Sequence, residues 1–127
     1  MSAALRAIHG DPARPWTVEG LGRRAGLSRA AFARRFTRLV GRPPLAYLTW
    51  WRLTLAARLL RGGDAPVHTV ARQVGYASPY AFTHAFKRQY GVPPGAYRTA
   101  AARPPEIRPP PPARGAVTGR GRTAPAG

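Results

Sequence analysis

The chain has 127 residues, 44% of them hydrophobic, with 21 Lys and Arg against four acids, a formal charge of +17. That length allows one apolar core and is too short for two ordinary domains, and the absence of cysteine excludes disulfides and thiolate metal sites. Arginine supplies 20 of the 21 positives; GC-rich coding would give the same bias, yet so large an excess makes physical sense mainly beside a polyanion, either nucleic acid or an anionic membrane surface.

In chain order, the first apolar stretch breaks at Arg6 and ends at Gly10. It does not resemble a signal peptide. Thr17 can cap a helix from Val18 to Ala25, with Glu19 in its first turn favoured by the dipole. Gly26 ends it, since glycine accepts the left-handed backbone of a sharp turn. Ser28 caps the next helix, which runs to about Val40 and stops at Gly41 before Pro43. Pro44 to Arg61 follows as one continuous helix closed by Gly62-Gly63, roughly 27 Å long at about 1.5 Å per residue. It is apolar nearly all round (Leu45, Leu48, Trp50, Trp51, Leu53, Leu55, Leu59, Leu60), as a helix packed by two lobes would be. Pro66 sits in the first turn of a helix ending near Gly75, and Ser78 caps a further one with Pro79 at its first position.

After Arg98 the composition changes. Residues 99–127 are almost entirely Ala, Arg, Pro, Gly and Thr, with a run from Pro109 to Pro112, and they are expected to form a disordered Pro/Arg-rich tail. The tail takes five arginines and Glu106, so residues 1–98 still carry +13. No run approaches the roughly 18 apolar residues of a membrane span. A cytoplasmic location and no membrane partner are the default expectations.

A repeat organises the first 98 residues. Phe32, Phe36, Gly41, Pro43, Pro44 and Tyr47 recur 50 positions later as Phe82, Phe86, Gly91, Pro93, Pro94 and Tyr97. Upstream, Val18, Leu21, Ala25 and Gly26 match Val67, Val70, Val74 and Gly75 at an offset of 49. One extra residue in the second turn accounts for the change. Two copies do not make a solenoid. Each reads as helix, tight glycine turn, helix, which is the signature of helix-turn-helix, with an ordinary helical hairpin as the alternative. The expected fold is all-α: subdomains at about 5–43 and 62–98, joined by the linker helix 44–61. A spacer of that length would hold two reading helices about one DNA turn, ~34 Å, apart.

On a helical wheel at about 100° per residue, Phe32, Phe36 and Leu39 mark the core side of the first reading helix. Ala30, Arg34, Thr37 and Arg38 then face outward, flanked by Ala33. The same construction on Phe82 and Phe86 turns Tyr80, His84, Lys87 and Arg88 outward. Arg34 is the strongest candidate, because a guanidinium can grip guanine O6 and N7 bidentately. His84 offers one hydrogen bond. Thr37, Arg38, Lys87 and Arg88 lie where phosphate is the more frequent partner.

Catalysis is poorly supported. The acids Asp11, Glu19, Asp64 and Glu106 form no pair at a spacing suited to acid-base work. His9, His68 and His84 lack the short spacing of a zinc site. No enzyme activity, metal or cofactor is expected. A non-specific basic nucleic-acid-binding protein is the main competing reading, and it predicts steep salt dependence without sequence preference. A protein-interaction adaptor would leave the arginine faces unexplained.

With these residues in place, the sequence resembles the DNA-binding domain of the AraC/XylS family from about Leu5 to Arg98. The resemblance rests on Trp16-Thr17-Val18-Glu19, on Ala25-Gly26-Leu27-Ser28-Arg29, and on Gly75-Tyr76 through Gly91-Val92-Pro93-Pro94 and Tyr97-Arg98. It implies two subdomains binding successive major grooves of double-stranded DNA, with Arg34 at a base-contacting position and Tyr80, Thr83 and His84 matching contacts of the second helix. It further implies a regulator, usually an activator that touches RNA polymerase. Three departures stand out. Gly22 replaces the usual alanine and, with Gly20, makes the first supporting helix glycine-rich, at about 1 kcal/mol each. Ala30 is small where a larger contact residue can occur. Most members carry an amino-terminal sensor domain before this point, so a fragment of a longer effector-responsive regulator is expected, with a free-standing small regulator as the competitor.

Overall fold

The proline pair that recurs in the sequence starts a helix both times. In a computed structural model that describes residues 1–102, the helices run α1 Ser2–Gly10, α2 Val18–Ala25, α3 Arg29–Val40, α4 Pro44–Gly62, α5 Val67–Gln73, α6 Pro79–Tyr90 and α7 Pro94–Ala102. The described residues contain no strand. Of the tail expected at residues 99–127, residues 103–127 lie outside the described residues. The helical chain does continue past Arg98, however: α7 extends through Ala102, because the Thr99 hydroxyl bonds back to Gly95 O and the alanines that follow favour helix. Composition alone had placed the boundary too early.

The repeated motif G-x-P-P-x-x-Y has a mechanical meaning. Pro44 and Pro94 are buried at the starts of α4 and α7, where a missing amide costs nothing. Three residues on, Tyr47 meets Phe36 edge-on with centroids 5.7 Å apart, and Tyr97 meets Phe86 at 5.3 Å. The motif therefore turns the chain out of α3 and α6 and locks the next helix onto each. The serine caps form as expected: the Ala31 amide donates to Ser28 Oγ at 3.2 Å and the Ala81 amide to Ser78 Oγ at 3.1 Å. Pro66 stands just ahead of α5 instead of inside its first turn, a shift within the ordinary uncertainty of helix ends.

Two apolar cores result. One gathers Ala4, Ile8, Trp16, Leu21, Phe32, Phe36 and Leu48; the other gathers Leu53, Ala56, Ala57, Leu60, Val70, Ala71, Val74, Phe82 and Phe86. Helix α4 serves both, giving its first half to one core and its second half to the other. It is not apolar all round in effect, since Leu45 and Leu59 remain exposed. Leu39 also departs from expectation. It is 63% exposed, and Val40 packs on the first core instead. The packed row is Phe32, Phe36, Val40, matched by Phe82, Phe86, Tyr90, which is the i, i+4, i+8 ridge of helix packing. In α3, position i+7 points away.

Candidate nucleic-acid interface

The outer side of α3 is built by default: its phenylalanines are consumed by the core, and what remains faces solvent. Ala30, Arg34, Thr37 and Arg38 are exposed and Ala33 is half-buried. Ala33, Arg34, Thr37 and Arg38 line one shallow concavity together. The Thr37 hydroxyl donates to Ala33 O at 2.8 Å, so its proton is already committed and it faces a ligand only as an acceptor. Ala30 and Ala33 add no polar group, which leaves Arg34 and Arg38 as the donors of this face.

Helix α6 presents a different chemistry. Tyr80, His84, Lys87 and Arg88 are exposed and Thr83 is half-buried. Tyr80 and His84 touch, whereas Arg88 belongs to a cleft shared with α4. That cleft is lined by Arg42, Thr49, Trp50, Ala85, Arg88 and Gln89. Arg42 stacks over Trp50 with its guanidinium carbon 5.0 Å from the ring.

Sequence reasoning passed over three basic features. Arg42 sits in the turn after the first reading helix, hidden among other arginines. Around Trp16, Arg14 and Arg24 stack at 4.7 and 5.0 Å, and with Arg23 and Thr17 they surround the start of α2. The adjacency of Arg14 and Trp16 was the available signal. Arg52, in the middle of α4, is the third. Its Nε donates to Pro12 O at 2.7 Å and its Nη2 to Arg14 O at 2.9 Å. Burial pulls this guanidinium below its usual range, partly offset by nearby Tyr76, whose phenol burial pushes up. Among the described residues no group of His, Asp or Glu could hold a metal ion, and no helix is long and apolar enough to cross a membrane.

A family model described as a helix-turn-helix domain matches residues 21–100, which takes in α3, α4 and α6. The chain belongs to the AraC family of helix-turn-helix domains. An AraC-like transcription regulator of Streptomyces lividans is 51% identical over 98 residues, covering 77% of this chain and 32% of its own length. The regulator AlkR of Acinetobacter baylyi is 46% identical over the same share of each chain. This AraC-family chain therefore spans about a third of the length of the curated relatives it matches. Among solved structures, the DNA-binding domain of the global transcriptional factor AdpA, crystallised with a target DNA, superposes with a TM-score of 0.73 at 39% identity, covering 78% of this chain and 88% of that one. The all-helical fold with two helix-turn-helix units is shared.

Proposed function

We propose that this chain is a sequence-specific, DNA-binding transcription regulator of the AraC type that reads two successive major grooves with α3 and α6. The observation that carries the reading is the pairing of two equivalent, capped helices whose outward residues are free of the core, in a domain of the family that includes the DNA-bound AdpA domain. On α3, Arg34 serves as the base reader and Arg38 as a phosphate contact, with Ala30, Ala33 and Thr37 lining the approach. On α6, Tyr80, Thr83 and His84 face base edges while Lys87 and Arg88 meet phosphate. The charge of +17 supplies the sequence-independent part of the affinity.

RNA polymerase is proposed as the protein partner, since the relatives are transcription regulators. The cytoplasm is the proposed location.

Selecting bound duplexes from a random pool tests the proposal, with Arg34→Ala run beside the parent chain. The parent should enrich one motif. Arg34→Ala should relax one position of it, losing about 1–3 kcal/mol of discrimination there. Enrichment of no motif would favour a non-specific basic binder, and an unchanged motif would remove Arg34 from its role.

A further inference from the structure

The two lobes make no extensive direct contact; each packs on α4. Something must nevertheless fix how far one lobe is rotated about that helix relative to the other. The Arg52 head group, on α4, meets irregular backbone of the first lobe and the turn of the second. Toward the first lobe it donates the two hydrogen bonds to Pro12 O and Arg14 O, in the connection between α1 and α2. Toward the second, its guanidinium carbon lies 6.0 Å from the centre of the Tyr76 ring. It also fills the space beside Gly75: a Cβ there would stand 2.8 Å from the guanidinium carbon, and the backbone there has φ +106°. Glycine is required twice over, for its conformation and for the room it leaves.

Tyr76 belongs to the turn that carries the extra residue of the second copy. The first copy turns through Gly26-Leu27-Ser28, whereas the second uses Gly75-Tyr76-Ala77-Ser78. Tyr76 is anchored below by an edge contact with Phe82, centroids 5.5 Å apart. The place equivalent to Arg52 in the second copy is Ala102, so the guanidinium has no counterpart there. The two departures from exact repetition meet each other.

We propose that Arg52, with Gly75 and Tyr76, is an inter-lobe latch that sets the relative orientation of the two reading helices and thereby the half-site spacing the chain accepts. Arg52 is a positioning residue; it touches no base. The spacing part of this inference rests on the two-groove reading above, whereas the orientation part does not.

The chain has no native cysteine, so Arg35→Cys and Ala81→Cys, at exposed positions of α3 and α6, give one spin-label pair in the full chain. Pulsed dipolar spectroscopy then reads the inter-helix distance distribution. The parent should show one narrow peak. Arg52→Met and Tyr76→Leu should each broaden it about twofold, with both lobes still melting cooperatively. Arg52→Lys, able to reach one carbonyl, should fall between. Unchanged widths in both Arg52→Met and Tyr76→Leu would overturn the latch. If Arg52→Met fails to fold, Tyr76→Leu alone decides, because it places in the second turn the residue type of the first.

A second arm uses duplexes carrying both selected half-sites at spacings stepped by one base pair. The parent's preference for one spacing should shrink about tenfold in Arg52→Met, while affinity for a single half-site stays the same. A narrow parent distance peak combined with no preference for any duplex would sink the DNA reading and leave the latch standing.

Discussion

Tyr80 and His84 meet edge to face on the open side of α6, their ring centroids 4.6 Å apart. They stand one helical turn from each other, where side chains are neighbours. Tyr80 is nevertheless 74% exposed, so the ring does not serve the core. It presents a large open face beside His84. On the DNA reading proposed above, an exposed aromatic of this size suits apolar contact with a thymine methyl, and the adjacent imidazole would supply the polar contact.

Tyr80→Ala should therefore separate recognition from stability. Unfolding in urea should shift by no more than about 0.5 kcal/mol, as for other exposed sites. Affinity for the selected duplex should fall about tenfold against little change for a scrambled one. Equal losses on both duplexes would show that the ring contributes only non-specific contact.

Lys87 should behave differently. As a flexible point charge in the last turn of α6, it is assigned to phosphate, which carries no sequence information. Lys87→Ala should weaken selected and scrambled duplexes alike, and the slope of log affinity against log salt should lessen by about 1. Anisotropy titrations at several salt concentrations measure both. A change in motif without a change in slope would move Lys87 from phosphate to base.

Much of this architecture was legible before any coordinates. The serine caps, the glycine stops and the proline starts are local signals, and local signals place helices well. The phenylalanine repeat marked the core side of both reading helices, so the outward residues followed by elimination. The failures have a common cause. Whether Leu39 or Val40 packs depends on how the neighbouring helices cross α3, and whether Leu45 and Leu59 are covered depends on where each lobe ends. Neither is a property of one segment. Arg52 was unreadable for the same reason: its partners lie at Pro12, Arg14 and Tyr76, far away in sequence and partly backbone, and an isolated arginine in an arginine-rich chain gives no sign of them.

The two caps offer a test of whether two distant sites in the domain act independently. Ser28 and Ser78 each receive one otherwise unpaired amide at the start of a reading helix. Their helices feed different cores. Ser28→Ala and Ser78→Ala should each cost about 1 kcal/mol. The double substitution should cost the sum, because the sites share no partner. Urea denaturation of the four chains closes the cycle, and a clear departure from additivity would show that the two helix starts are energetically coupled.

The packed ridge of α3 can be checked by contrasting two apolar residues three positions apart. Phe36 is fully buried, with its ring against Phe32 at 5.5 Å and Tyr47 at 5.7 Å. Leu39 is 63% exposed in the last turn of the same helix. Phe36→Ala removes a large side chain from a core that cannot fully close over the gap, and should cost about 3–5 kcal/mol. Leu39→Ala removes little buried area and improves helix propensity slightly, so its effect should stay within about 0.5 kcal/mol. Denaturation midpoints measured side by side decide the matter. A loss of more than about 2 kcal/mol in Leu39→Ala would mean that the i+7 position packs after all, and that α3 meets its neighbours along a different ridge from the one described.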